Sequence, residues 1–192
     1  MPIIGGDDIV NALEAHLHEA IPKAQEALKL THLGEVKVWQ ILPDKDAIAT
    51  SQYPAIAIVA AEAEAGERSV DGYSATWDVS VGAFARGTDH KDTQNIAQQW
   101  AKTIRYACLM TPVIPDTEIE MTWVGESSNI IASQQDARTL GACEVMFDAY
   151  VENAFTPDDI DNGTWPLVKT TYPAVDAQEP EPPAGTYTPN YI

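Results

Sequence analysis

Apolar positions follow two alternating periods from Ile9 to Phe155, and the switches between them mark the elements. Val10, Leu13, Leu17 and Ile21 fall three or four apart, which predicts a helix with one apolar stripe. Asp7 and Asp8 precede it, where acidic groups favour the positive end of the helix dipole. Pro22 is expected to break or kink this helix, with "KAQEALKL" placed to continue it for two further turns. "EVKVWQIL" reads as a strand closed by the polar turn "PDKD". "YPAIAIVAAEA" is a second strand whose unbroken apolar run predicts burial on both faces. "EAGERSVDG" then reads as a polar hairpin loop.

The next strand has the clearest signal. Ala75, Trp77, Val79, Val81, Ala83 and Ala85 alternate with Ser74, Thr76, Asp78, Ser80, Gly82 and Phe84, so one face is apolar and the other mostly polar. The period then changes, and Ile96, Trp100, Ile104 and Cys108, with Ala97, Ala101 and Ala107, form a helical stripe that "TPVIPD" ends. "EIEMTWVG" and "SSNIIASQQ" read as two strands, and "LGACEVMFDAYVEN" as the last, with Cys143, Val145, Phe147, Ala149 and Val151 on one face. This order predicts an α+β domain over residues 1–155: a mainly antiparallel sheet with two helices packed on one side. Trp39, Trp77, Trp100 and Trp123 all fall in apolar patterns and are expected in the core.

The pattern stops at Phe155. Residues 156–192 hold seven of the chain's 13 prolines, six acids and one lysine, a composition that cannot build its own core. Yet Trp165, Leu167, Val168, Tyr172, Val175, Tyr187, Tyr191 and Ile192 are more apolar material than a solvated linker needs. The segment is expected to be an extended arm that docks on a neighbouring subunit or an adjoining protein; the alternative is that it folds back over its own domain or stays disordered. Trp165, Tyr172, Tyr187 and Tyr191 are its candidate interface residues.

Charge narrows the function classes. Twenty-nine acidic residues against 11 basic give a net charge of −18, which disfavours binding to phosphate backbones. A surface that DNA must pass without sticking needs the same sign. Cys108 and Cys143 sit inside apolar periodic segments and are expected as reduced core residues. The N-terminal "MPIIGGDDIV" has no basic region of the kind a signal peptide carries, and no apolar run reaches bilayer-spanning length. The expected location is therefore soluble, with synthesis in a cytoplasm.

"TDHKD" (88–92) packs two aspartates, a histidine and a lysine into five residues, which invites an acid–base reading. It also lies where a strand gives way to a helix, and Thr and Asp are preferred N-caps. Catalysis needs further groups converging from other segments, and none is comparably rich. The capping reading is preferred, with His90 and Lys91 on a solvated first turn. His16 and His18, two apart on a helix, cannot grip a metal as an i, i+4 pair does. Counted from Asp159, "DDIDNG" has its glycine one place early and Thr170 where a calcium loop needs glutamate. "GERSVDG" lacks a phosphate-loop pattern, and "VGESSN" lacks the second glycine of a nucleophile elbow. No catalytic, cofactor-binding or metal residues are assigned.

The order of elements, and above all "YPAIAI" followed by "SATWDVSVGAFARGTDHKDTQNIAQQWAKTIR", resembles the tail terminator, or tail-completion, proteins of long-tailed bacteriophages over residues 7–155. The resemblance implies a structural virion protein at the tail–head junction, made in the bacterial host cytoplasm. It implies a ring, hexameric in the family, that caps the tail tube and joins it to the head connector while DNA passes through. It also implies no enzymatic activity and no cofactor. The proline-rich arm departs from compact members of the family. In this setting Glu62, Glu64, Glu67, Arg68 and Asp71 of the hairpin loop are expected to line the lumen or to contact an adjacent ring. The alternatives are another neck or tail-tube component or, in a different class, a small α+β ligand-binding domain or enzyme.

Overall fold

The computed structural model describes residues 4–40, 52–68, 72–132 and 139–155. Helix α1 spans Gly6–Ala27, and a short 3-10 turn at Thr31–Leu33 leads to strand β1, Val38–Gln40. Strands β2 (Ala55–Arg68) and β3 (Tyr73–Ala85) precede helix α2 (His90–Met110), and β4 (Ile119–Ala132) and β5 (Thr139–Phe155) complete the order. The strands form a five-stranded sheet in the order β1-β2-β3-β5-β4, antiparallel except for the β1–β2 pair. The fold is α+β, as the alternation of periods predicts.

Both helices are built by their apolar stripes. In α1, Ile9, Val10, Leu13, Leu17, Ala20, Ile21 and Ala24 are buried, and a fully buried Leu or Ile contributes about 1.5–3 kcal/mol. The Asp8 carboxylate accepts the Gly5 N–H at 2.8 Å and satisfies one free amide of the first turn. Pro22 does not end the helix. The buried Ala24 and Gln25 carry it onward, and Gln25 Nε2 donates to the Gly34 carbonyl at 2.9 Å. Gly34, with φ of 76°, takes the left-handed conformation that turns the chain toward β1.

In α2, Thr93, Ala97, Trp100, Ala101, Thr103, Ile104, Ala107 and Cys108 are buried. Of these, Trp100, Ala101, Ile104, Ala107 and Cys108 meet the inward row of β3 from Ala75 to Ala85 and that of β5 from Cys143 to Val151 in one core cluster. At Gly141 a Cβ would lie 2.8 Å from the Thr93 carbonyl oxygen, so a bare backbone lets α2 lie close on β5. Cys108 and Cys143 are buried and free of disulfides, as expected.

"TDHKD" is helix punctuation. Asp89 caps α2 by accepting the Asp92 N–H at 2.8 Å. Asp92 reaches back, its Oδ2 accepting from the Thr88 N–H at 2.7 Å and the Thr88 hydroxyl at 3.0 Å. Asp89→Ala is expected to cost about 1 kcal/mol, read as a lower urea midpoint with an unchanged slope.

Four details depart from the sequence reading. "EIEMTWVG" and "SSNIIASQQ" are not two strands: residues 119–132 form the single strand β4, with a register shift between Trp123 and Gly125. The expected hairpin loop from Glu62 is largely strand, since β2 runs to Arg68 and pairs with Tyr73. Burial of β2 on both faces holds only for its first four residues, Ala55–Ile58; residues 61–67 are exposed. Trp77 and Trp100 are core residues, but Trp123 is 42% exposed and Trp39 only half-buried.

Candidate functional site

The helices cover one face of the sheet and leave the other open. Successive strand residues point to opposite faces, so the partners of the buried row define the open one. Phe84, Gly82, Ser80, Asp78 and Thr76 of β3 stand beside Ala142, Glu144, Met146, Asp148 and Tyr150 of β5. At one end Tyr53, Ala55, Leu140 and Phe84 form a small apolar cluster of their own. Further along, the face becomes acidic.

Asp78 and Asp148 are directly opposed across β3 and β5. Glu64 pairs with Thr76 on one side of them, and Glu120 pairs with Tyr150 on the other. Glu144 accepts a hydrogen bond from the Ser80 hydroxyl at 2.8 Å. Like charges placed opposite one another destabilise a sheet, so the Asp78–Asp148 pair has no rationale in packing. These carboxylates are strung along the strands, and among the described residues no three His, Cys, Asp or Glu converge to hold a metal ion. The arrangement produces an extended negative surface, suited to repelling polyanions.

The edge strand β4 carries a different surface. Arg105 of α2 pairs with Glu126 at 3.0 Å and lies over the Trp123 ring at 5.0 Å. Trp123, Val124, Tyr106, Met110 and Val113 are exposed. A register shift follows Trp123 in β4, and among the described residues β4 has no strand beyond it in the sheet.

An apolar hollow of about 650 Å³ lies at the far end of the β2–β3 pair, bordered by Ile4, Ala63, Ala65, Tyr73, Trp77 and Phe155. Its floor is the helix-facing side of the sheet, continued past the start of α1.

The residues singled out from the sequence fall as follows. Glu62, Glu64 and Glu67 are exposed residues of β2, and Arg68 is its last residue, so they belong to a strand end and not to a free loop. Asp71, Trp165, Tyr172, Tyr187 and Tyr191 lie outside the described residues. His18 is exposed, 3.8 Å from Glu14, with its ring centroid 4.1 Å from that of Trp39 and tilted by 33°. His16 is not: its Nε2 lies 3.3 Å from the Ala107 carbonyl and 3.3 Å from the Thr111 hydroxyl, joining α1 to the end of α2. The sequence reading missed the opposed pair Asp78–Asp148. Both stand at polar positions of alternating strands, but their pairing depends on the register of segments 70 residues apart.

No family model matches the chain, and no curated protein does. Among solved structures, a chain from the virion of a native gene transfer agent particle is similar, with 12% sequence identity and a TM-score of 0.37, over 73% of this chain and 98% of that one.

Proposed function

We propose that the chain is a structural virion protein of a phage-like particle, a tail terminator that forms a ring on the tail tube and joins it to the head connector. The observation that carries this reading is the open acidic face of the sheet. A carboxylate row of Glu64, Asp78, Asp148 and Glu120 suits the wall of a channel through which DNA moves, because its negative charge repels a phosphate backbone. Glu62, Glu67, Arg68 and Asp71, at the hairpin end, are assigned to the lumen rim or to the contact with an adjacent ring. The exposed apolar side chains on and beside β4, together with the arm aromatics Tyr172, Tyr187 and Tyr191, are assigned to contacts with neighbouring copies and adjoining neck or tail proteins. The chemistry asked of the chain is assembly, with no enzymatic step and no cofactor.

Mass measurement and negative-stain imaging test this directly. Alone or on tail tubes, the 20.9 kDa chain is expected to form rings of about six copies, closed because heterologous contacts repeat around an axis. Particles assembled without it are expected to leave filled heads and tails unjoined. A chain that stays monomeric in the presence of tubes, and whose removal leaves joining intact, would sink the reading. The apolar hollow near Phe155 favours a second reading, a ligand-binding α+β domain, which predicts a monomer or dimer that never forms rings.

A further inference from the structure

The hollow beside Phe155 is an uncovered stretch of core. A Cβ at Gly6, the first residue of α1, would lie 3.4 Å from Ala60 and 3.9 Å from Trp77, so the helical roof begins there. Beyond it the inward row continues through Ala63, Ala65 and Ala75. One wall is the N-terminal segment, held by the Ile4 N–H donating to the Ala154 carbonyl at 3.2 Å. The other is Phe155, the last residue of β5. The lining is almost wholly carbon, and an apolar floor of this kind gains by being covered.

Phe155 is also where the arm begins, and the arm's first apolar run, Trp165-Pro166-Leu167-Val168, follows ten residues later. We propose that this run, from the same chain, occupies the hollow, with Trp165 as its anchor. A space of about 650 Å³ has the size of a pocket for a drug-sized molecule. It takes a cluster of side chains, such as Trp165, Leu167 and Val168 supply together. Reach is ample, since ten residues extend up to about 33–36 Å and the chain starts at the rim of the hollow itself. A residue before proline is biased toward extended backbone, so Pro166 would lower the entropy Trp165 loses on docking. The inference holds whether or not the chain serves in a virion: it assigns the start of the arm to its own subunit and leaves Tyr172, Tyr187 and Tyr191 beyond it to reach elsewhere.

The test uses the full chain with Ala65→Cys and Leu167→Cys under mild oxidation. Cys108 and Cys143 stay out of the reaction, since burial pushes both thiols up to about 12 and only thiolates react. A docked arm should form the intramolecular disulfide at least about tenfold faster than the control pair Glu19→Cys/Leu167→Cys, because docking raises the effective concentration. Adding Trp165→Ala should return the rate to that of the control and increase anilinonaphthalene sulfonate fluorescence over the wild type. Equal rates for the two pairs would overturn the proposal and leave the hollow to residues 1–3, residues 69–71 or another protein. A disulfide-linked dimer would overturn it in favour of a second copy's arm.

Discussion

Trp100→Ala is expected to remove about 3–5 kcal/mol of stability, enough to unfold much of a domain whose total is about 5–15 kcal/mol. Trp100 is fully buried in the middle of α2, in the cluster that holds Val79, Val145 and Phe147. Truncation to Ala leaves a void between helix and sheet that rigid strands on both sides cannot close. Trp100→Phe is the informative companion. The indole Nε1 is buried with no hydrogen-bond partner among the described residues, and an unpaired buried donor costs about 1–3 kcal/mol. Phe removes that donor along with some volume, so its loss should fall well below that of Ala. Urea unfolding of the three proteins checks both statements. A loss under about 1 kcal/mol for Trp100→Ala would show that α2 does not seat its stripe on the sheet.

The second large effect concerns pH. Burial pushes the Cys108 thiol from 9.0 up to about 12, and burial is also the leading cause of the rise at Cys143 to about 12. In the unfolded chain both thiols ionise near their ordinary value, while in the folded protein they stay neutral. The folded state therefore holds more protons above pH 9, and stability is lost as pH rises from 9 toward 12. Each thiol contributes a slope of up to about 1.4 kcal/mol per pH unit, so the two together remove a large share of the domain's stability across this window. Below pH 9 the contribution is flat. Guanidinium unfolding at pH 7, 9 and 10.5, compared with Cys108→Ala/Cys143→Ala, isolates the effect. The substituted protein should lose less stability between pH 9 and 10.5 than the wild type. Parallel losses would mean that the thiols are open to water.

The parts of the fold that can be read from the sequence are those where one face is buried and the other is not. The run from Ala75 to Ala85 and the stripe of Ile96, Trp100, Ile104 and Cys108 each report a surface half against the core, so their periods are clean. The second half of β2 does not report one. Residues 61–67 are exposed because, among the described residues, no helix covers that end of the sheet, and a strand without a helical cover has the composition of a loop. Gly125 looks like a boundary between strands but sits at a bulge, where one irregular step leaves the ladder otherwise continuous. Trp123 belongs to an apolar pattern, yet its strand lies at the edge and its ring is covered by Arg105 instead of the core. The candidate site was the least legible part. The acidic character of the chain is plain from its composition, but the opposition of Asp78 and Asp148 is a property of register, which composition does not contain.

The order β1-β2-β3-β5-β4 has a geometric consequence for assembly. Neighbouring strands are rotated by roughly 20–25° in a fixed hand, so four steps accumulate about 80–100° between the outermost strands. The two borders of one subunit therefore face different directions. They also differ in kind: a strand paired parallel at one border and a bulged antiparallel strand at the other. Copies that meet border to border through this sheet cannot stack into a flat ribbon, because each junction inherits the rotation stored in the subunit before it. Depending on how that rotation divides between turning and climbing, the result is a closed circle or a helix, and a few degrees at the β4 bulge decide between them.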